Sequence, residues 1–430
     1  MKVCVVGQGG REHALALSLS RTAEVVVCPG NPGVPAPDGA VPGGYPISVT
    51  SDAVEDIDAD LVVVGPEQPL VDGLADRLRA AGRAVFGPGA DGARLEGSKA
   101  FMKDLLADAR VPTARYGSFD VVAHAVAFLD DLPGPWVVKT DGLAAGKGVL
   151  VTTDRAEAEH DIRAKLAGQS FGDAGRRVIV EEGLAGVECS LLVVTDGTRV
   201  APLAPAQDFK RVADGDQGPN TGGMGAFSPV PDATDQLVDR VLDEAIEPTL
   251  AALRRRGIDY RGVLYAGLML TDDGPKVLEY NVRFGDPETQ VVLPRFEEDL
   301  TGLLAEAASG RLHTEPRTAP SAAVCVVLAA EGYPASVRLG DPIGGLAAVA
   351  AVPGVTAIHA GTRLDEDEHL VTAGGRVLGI TATGPTVADA RGLAYQGADL
   401  VSWTGMHYRT DIAADAGRRH AAARPGEGAS

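Results

Sequence analysis

Through its first ninety residues the chain alternates short apolar runs with helical stretches, and Gly or Pro follows each run. "KVCVVG" reads as a strand, residues 12–20 as a helix, "EVVVC" as a second strand, "ADLVVVGPE" as a third, 70–81 as a helix and "AVFGPG" as a fourth strand. Parallel neighbours need a crossover between them, which the helices supply, so the alternation specifies a doubly wound parallel sheet. Ligands of such sheets bind beyond the carboxyl ends of the strands, here "GQGGRE", "PGNPG", "GPEQP" and "GPGA". A chain of 430 residues exceeds one such core, so two to four domains are expected.

The remaining chain is mixed. A helix is expected over 98–109, ending before Val111-Pro112. "PWVVKTDGLAAGKGVLV" reads as two strands joined by a Gly-rich hairpin, and a helix over 154–167 with the strand "RRVIVEEGL" completes a small α+β lobe. Strands in "VECSLLVVTDGTRVAPL", a long polar loop over 208–225, a helix over 234–256 and strands in "GVLYAGLMLTDDGPKVLEYNV" follow. Past residue 320 come short strands and turns, a helix over 386–400 and a tail whose composition reads as disordered.

With 45% apolar and 4% aromatic residues the composition is that of a globular α/β protein. A net charge of −20 argues against nucleic acid or an acidic membrane as partner, since both require basic surfaces. The apolar run in "MKVCVVGQGG" is too short for a signal peptide, and "AAVCVVLAA" is of strand length, not membrane length. Cys4, Cys28, Cys189 and Cys325 are scattered without a C-x-x-C pair and read as buried free thiols, which suits a reducing, cytoplasmic setting.

Several stretches carry chemistry. "GQGGRE" lacks the third Gly of a dinucleotide fingerprint, where Glu12 stands, and the second strand ends Cys28-Pro29 with no carboxylate for a ribose. Its amides at a helix start, with Arg11, could equally serve a phosphate or form a plain strand–helix turn. "KTDGLAAGKG" has the wrong spacing for a Walker A loop and is flanked by strands, so it reads as a hairpin laid over phosphates, framed by Lys139 and Lys147. Lys99 alone reads as a solvated helix charge, and Glu181, Glu182 and Glu188 as strand-end carboxylates able to accept from a base or a ribose. "QDFKRVADGDQGPNTGGMGAFSP" is too long and too charged for a plain linker and reads as a binding loop.

In "VLEYNVRFGDPETQ" alternation puts Glu279, Asn281 and Arg283 on one face and Leu278, Tyr280, Val282 and Phe284 on the other, core face. A carboxylate and an amide oxygen two residues apart are hard donors for Mg²⁺, which takes few protein oxygens and fills its octahedron with phosphate and water. Arg283 beside them can hold a carboxylate or phosphoryl group.

These elements, in this order, resemble the ATP-grasp superfamily, and within it the glycinamide ribonucleotide synthetase family. The resemblance rests on "VVGQGGREHALA", "VGPEQPLVDG", "LEGSKAFMKDLL", "KTDGLAAGKGV", "QDFKRVADGDQGPNTGGMGAFSP", "YAGLML" and "RFGDPETQ", with "HAGT" and "GGRVLGITA" extending it towards the C-terminus. It implies a Rossmann-like parallel sheet (1–97) for substrate, an ATP-grasp domain (98–320) with a lid lobe (about 117–184), a small C-terminal α+β domain (321–412) and a tail (413–430). The activity implied is ATP-dependent joining of glycine to 5-phosphoribosylamine through a glycyl phosphate, in purine biosynthesis. Lys99 and Lys139 would contact the nucleotide phosphates, the hairpin bearing Gly142, Gly146, Lys147 and Gly148 would be the lid, Glu181, Glu182 and Leu184 would frame adenine, and Glu188 would hold the ribose. Glu279 and Asn281 would bind Mg²⁺ or Mn²⁺; the strand that brings another acidic ligand in many ATP-grasp enzymes reads "LYAGLML" here.

Gly9, Gly10, Arg11, Glu12, Asn31, Gly33, Pro66 and Glu67 would hold phosphoribosylamine, while Asp208 and Arg283 would take the amine and carboxylate of glycine. Lys210, Asn220, Thr221, Gly222, Gly223, Met224, Gly225, Asp286, Pro287 and Glu288 complete the implied substrate site, with Arg283, Asp208 and Lys147 nearest the chemistry. A monomer is expected, in passing contact with the enzyme that makes phosphoribosylamine. Rival readings are an ATP-grasp ligase for another carboxylate and amine, an oxidoreductase, and a non-catalytic nucleotide sensor.

Overall fold

Short, buried, valine-rich strands build the N-terminal sheet: β1 (Lys2–Gly7), β2 (Glu24–Pro29), β3 (Ile47–Val49), β4 (Leu61–Val64) and β5 (Val85–Phe86). All pair in parallel, in the order β3-β2-β1-β4-β5. The sequence reading found four of the five; β3 escapes it because three residues, two of them exposed, leave no pattern. The structure, a computed structural model, describes residues 1–36, 38–40, 43–143, 148–168 and 177–416. The expectations for Gly146, Lys147 and the end of the tail fall outside those residues.

Helix α1 (Gly10–Leu19) follows β1, and between β4 and β5 the chain forms α2 (Glu67–Val71) and α3 (Leu74–Ala80). The single helix expected over 70–81 is thus two, broken at Gly73, whose φ of +77° no helix accommodates. Strand order reverses between β1 and β4, so the crevice beyond their ends lies between Gly7 and the Gly65-Pro66-Glu67 turn. Helix α4 (Ala90–Gly97) leads into α5 (Lys99–Ala109), which is capped by the Ser98 hydroxyl accepting from Phe101 N.

The small lobe comprises β6 (Tyr116–Phe119), α6 (Val122–Phe128), β7 (Trp136–Thr140), β8 (Val149–Thr152), α7 (Arg155–Leu166) and β9 (Val178–Glu182). Its antiparallel sheet, in the order β6-β9-β7-β8, packs α6 and α7 around a core of its own that includes Ala125, Leu129, Val138, Ile162 and Val180. The two strands of the expected hairpin, β7 and β8, pair antiparallel with Lys139 opposite Val149, while residues 144–147 between them lie outside the described residues.

Next come β10 (Val187–Thr195), β11 (Val200–Pro202), β12 (Gln207–Asp208), β13 (Arg211–Ala213), β14 (Gln217–Asn220) and β15 (Gly225–Ser228). The segment 208–225, expected as a structureless loop, therefore contains a hairpin of β13 and β14; its charged and glycine-rich sequence hides strands of three and four residues. Helices α8 (Asp235–Val241) and α9 (Glu247–Arg255) are joined by a wider π-helical turn over Leu242–Ile246, where the expected single helix over 234–256 meets Pro248. Proline cannot donate to the preceding turn, and the widened turn accommodates its ring. Strands β16 (Gly262–Thr271) and β17 (Gly274–Asn281) complete an antiparallel sheet in the order β11-β10-β16-β17.

After α10 (Thr289–Val292) and α11 (Leu300–Ala308), the chain makes β18 (Ala322–Ala329), α12 (Leu346–Ala350), β19 (Val355–His359), β20 (Thr362–Leu364), β21 (Leu370–Thr372), β22 (Arg376–Gly384) and α13 (Val387–Ala398). The last sheet runs β12-β15-β18-β22-β19, so both ends of the 208–225 segment are strands of the C-terminal sheet. All eight residues of β18 are buried, with neighbours on both sides and α13 packed across it, which is why that run reads as continuously apolar. The four cysteines are buried free thiols on strands β1, β2, β10 and β18. Among the described residues no helix is long and apolar enough to cross a membrane.

Candidate active site

A cleft of about 1100 Å³ opens between the small-lobe sheet, the β10–β17 sheet, the N-terminal crevice and the C-terminal segment. Strand β17 runs along it, and a bulge decides what faces inward. Gly267 pairs with Glu279 but Leu268 pairs with Val277, so Leu278 is the extra residue. Strict alternation, which assigns Leu278 to the core, fails at this point: Val277 and Tyr280 are buried, while Leu278 and Glu279 both line the cleft, joined by Asn281.

Cations surround Glu279. Burial works against its carboxylate, yet Lys210, Lys139, Lys99 and Arg283 together hold its pKa below the usual range, so it is ionised at neutral pH. Lys99 starts α5, donates to Gly142 O at 3.1 Å, and has its pKa lowered by burial. Lys139, on β7, donates to Leu278 O at 3.3 Å. In a protein of net charge −20, this concentration of cations against one cleft marks where an anionic ligand is attracted.

Glu181 to Leu184 run along the cleft, but their side chains differ in setting. Glu181 is buried between Lys139 at 3.0 Å and Lys103 at 3.1 Å. Glu182 accepts from Arg115 N at 2.9 Å. Glu188 is bound by Lys210 Nζ at 2.7 Å.

Asp208 lies on the short strand β12, 4.0 Å from Lys210. Burial pushes its pKa up to about 7 against the pull of Lys210, and Glu288, Glu188 and Glu279 add to the rise. Thr221 Oγ1 donates to Lys210 O at 2.9 Å and accepts from Gly223 N at 3.0 Å, which folds the loop back on itself. Asn220, Thr221 and Gly222 line the cleft; Met224 is fully buried and Gly225 pairs with Val326, so those two anchor the loop from beneath. Gly223 has φ +107°, and a Cβ there would stand 2.5 Å from Pro287 Cδ. Asp286 is held by Gln290 at 2.8 Å and Arg376 at 3.0 Å, and Glu288 accepts from Ser190 at 3.2 Å and from the Tyr265 hydroxyl.

Arg283 has partners the sequence reading did not consider. Its guanidinium reaches Glu96 at 2.8 Å, Glu67 at 3.3 Å and Asn281 Oδ1 at 3.1 Å. Burial opposes its charge, but Glu96 and Glu67 hold the pKa well above the ordinary value. The arginine thereby ties β17 to α4 and to the turn after β4.

Of the N-terminal candidates, Arg11, Pro66 and Glu67 line the cleft. Glu12 accepts from Gly9 N at 2.6 Å and from Arg11 Nε at 2.6 Å, so the carboxylate that replaces the fingerprint glycine caps its own helix. Asn31 spends its amide on Gln8 O and His359 O, and accepts from Gly33 N. A Cβ on Gly33 would stand 2.0 Å from the His359 ring, and one on Gly10 2.8 Å from Gln290. Gly9, Gly10, Glu12, Asn31 and Gly33 thus frame the crevice without lining the cleft.

Sequence reasoning missed Glu96, Lys103, Tyr265 and Arg376. Each lies inside an ordinary helix or strand pattern, and only tertiary contact brings Glu96, Tyr265 and Arg376 to the cleft and Lys103 to the buried space behind it. Arg376, from the C-terminal sheet, donates to Asp286 O at 2.8 Å and to Gly222 O. One signal was available: Lys103 follows Lys99 by four residues, on the same helix face, one turn further in.

The architecture recurs in a biotin carboxylase complex from Campylobacter jejuni, with TM-score 0.70 at 14% identity over 95% of this chain and 92% of that one, a likeness of fold alone. Residues 97–289 match the model "Phosphoribosylglycinamide synthetase, ATP-grasp (A) domain". The chain is an ATP-grasp protein. Residues 1–96 and 323–415 match the N and C domains of the same synthetase. A phosphoribosylamine–glycine ligase of Streptomyces coelicolor is 51% identical over 97% of this chain and 99% of that protein. The crystal structure of the phosphoribosylamine–glycine ligase of Thermotoga maritima superposes with TM-score 0.83 at 34% identity, covering 96% of this chain and all of that one. The chain belongs to the phosphoribosylglycinamide synthetase family.

Proposed function

We propose that this chain is a phosphoribosylamine–glycine ligase, joining glycine to 5-phosphoribosylamine with conversion of ATP to ADP and phosphate, a step of purine biosynthesis. The single observation that carries the residue-level reading is the Glu279 carboxylate, half-buried in the cleft among Lys99, Lys139, Lys210 and Arg283, whose charges hold its pKa down against desolvation. An isolated buried carboxylate would take up a proton; this one is kept charged beside cations that also suit polyphosphate.

Lys99 and Lys139 bind the phosphates, Glu182 to Leu184 border the base, and Glu188 takes the ribose hydroxyls, exchanging its bond to Lys210 for them. Asn281 and Glu279 present hard oxygens to the same space, which fits Mg²⁺ or Mn²⁺; among the described residues no group of three or more His, Cys, Asp or Glu side chains is placed to hold a metal alone, so ligand oxygens would complete the shell. A divalent cation there supplies charge neutralisation to the phosphate oxygens.

Asp208 and Glu288 receive the ammonium of glycine. Burial and neighbouring carboxylates already raise Asp208, so a cationic ligand relieves a repulsion built into the site. The glycine carboxylate attacks the γ-phosphorus and ADP leaves; the amine of phosphoribosylamine then attacks the acyl carbon and phosphate leaves. The protein's part is positioning, charge balance and exclusion of water from the acyl phosphate. Phosphoribosylamine approaches from the crevice at Arg11, Pro66 and Glu67. The protein acts as a cytoplasmic monomer that receives this amine from the enzyme forming it.

The test is an ADP-release assay with freshly generated phosphoribosylamine, leaving out each substrate in turn. Release should need glycine, and amide product should need the amine; turnover with another amino acid in place of glycine would refute the substrate assignment.

A further inference from the structure

Lys103 is a buried charge that the function above does not use. Lys103 sits one helical turn beyond Lys99 on α5, on the same face. Lys99 borders the cleft, whereas the Lys103 side chain is completely buried behind it. Its Nζ lies 3.1 Å from Glu181 Oε1 and donates to Thr113 Oγ1 at 2.8 Å. The other oxygen of the same carboxylate, Glu181 Oε2, lies 3.0 Å from Lys139 Nζ, and Lys139 borders the cleft. One carboxylate is therefore shared between two ammonium groups, one facing the nucleotide space and one turned away from it.

Charge balance decides what Lys139 can do. Glu181 and Lys139 alone would form a neutral buried pair, and a ligand phosphate would compete with Glu181 for the ammonium. With Lys103 on the far side, the cluster of two lysines and one glutamate carries a net positive charge. Burial pulls the Lys103 pKa down to about 8, with Glu181 acting against the fall, while Glu181 is held below its usual range by Lys139 and Lys103; the Lys103–Glu181 pair is charged at neutral pH. A stitch to Thr113 alone would not require a cation, since any donor of similar length could reach that hydroxyl.

We propose that Lys103 is a positioning residue that neutralises Glu181 from behind and so leaves the Lys139 ammonium available to the phosphates of the bound nucleotide. The proposal rests on the nucleotide-cleft reading above and adds to it a residue that never touches the ligand.

Calorimetric titration of the full-length protein with ADP and magnesium tests it, with melting temperatures measured alongside. Lys103→Met should weaken ADP binding by at least about tenfold, the scale of one uncancelled charge near the phosphates. Lys103→Gln keeps a donor for Thr113 but not the charge, and should lose as much. Adding Glu181→Gln to Lys103→Met removes the competitor together with its counter-charge, and should restore affinity to within about threefold of wild type. A double variant that binds no better than Lys103→Met, or a Lys103→Gln protein that binds like wild type, overturns the proposal. Wild-type protein that fails to bind ADP would overturn the cleft reading and the proposal together. Wild-type binding that is lost in Lys139→Met, with Lys103 variants unaffected, overturns the proposal alone.

Discussion

Arg283 and His13 show how single side chains here are held by what surrounds them. Arg283 compensates two carboxylates, Glu96 and Glu67, in a largely buried setting, so Arg283→Ala leaves Glu96 without a counter-charge. Such a loss costs about 3 kcal/mol, and a denaturant titration should show it alongside the loss of activity. His13 is buried, accepts from His359 N at 2.9 Å, and has its pKa lowered to about 3 by burial and by His359. The unfolded chain therefore binds the proton first: below the unfolded value near 6.5, stability falls as pH falls towards 3. Between pH 6.5 and 5 the loss amounts to about 2 kcal/mol for such a histidine. His13→Gln should flatten that slope, and an unchanged slope in melts across this range would contradict the assignment. Residue identities were legible where chemistry is unusual for its setting, as at Glu279 and Asn281 on a strand. They were not legible where burial supplies the meaning: Lys103 and Glu96 look like ordinary helix charges until α5 and α4 pack on β9 and β17.

At the scale of elements, the strands followed from apolar runs, and the helices expected over 98–109 and 386–400 agree with α5 and α13 to within a residue or two. What sequence periodicity missed are departures from regularity: the bulge at Leu278, the break at Gly73 and the π-helical turn before Pro248. Each depends on a partner strand or a local backbone state rather than on hydrophobic spacing. The small lobe has its own core, separate from those joining the other layers. Val180→Ala, in that core, should cost about 1–3 kcal/mol, and the loss should stay local. Hydrogen exchange should quicken in β6, β7 and β9 while β18 and β22 remain protected; uniform loss of protection would mean the lobe is not a separate unit.

Across the whole molecule, the site is assembled from the small lobe, the β10–β17 sheet, the N-terminal crevice and the C-terminal segment, and the last of these reaches furthest. Arg409 is buried, lies 4.9 Å from the Phe209 ring centroid, and bonds Asp411, Asp216 and the carbonyl of Arg211. Gly215 N and Thr410 N complete the strap between residues near 411 and the β13–β14 hairpin. Phe209 stands between Asp208 and Lys210, so Arg409→Ala should loosen both. A stability loss of about 2 kcal/mol is expected, less than for a wholly buried pair because Asp216 is in water. The KM for glycine should rise more than kcat falls. None of this was legible beforehand, because it joins residues almost two hundred positions apart and the segment beyond 400 carries no motif.

The central claim is that the charged face of β17 serves the phosphate end of a nucleotide in the cleft. The most direct measurement is glycine- and phosphoribosylamine-dependent ADP release by wild-type protein and by Glu279→Gln, at saturating ATP and magnesium, with melting curves for both. Glu279→Gln should lower kcat by at least about a hundredfold with little change in melting temperature. Turnover within a fewfold of wild type in a normally folded Glu279→Gln protein would contradict it.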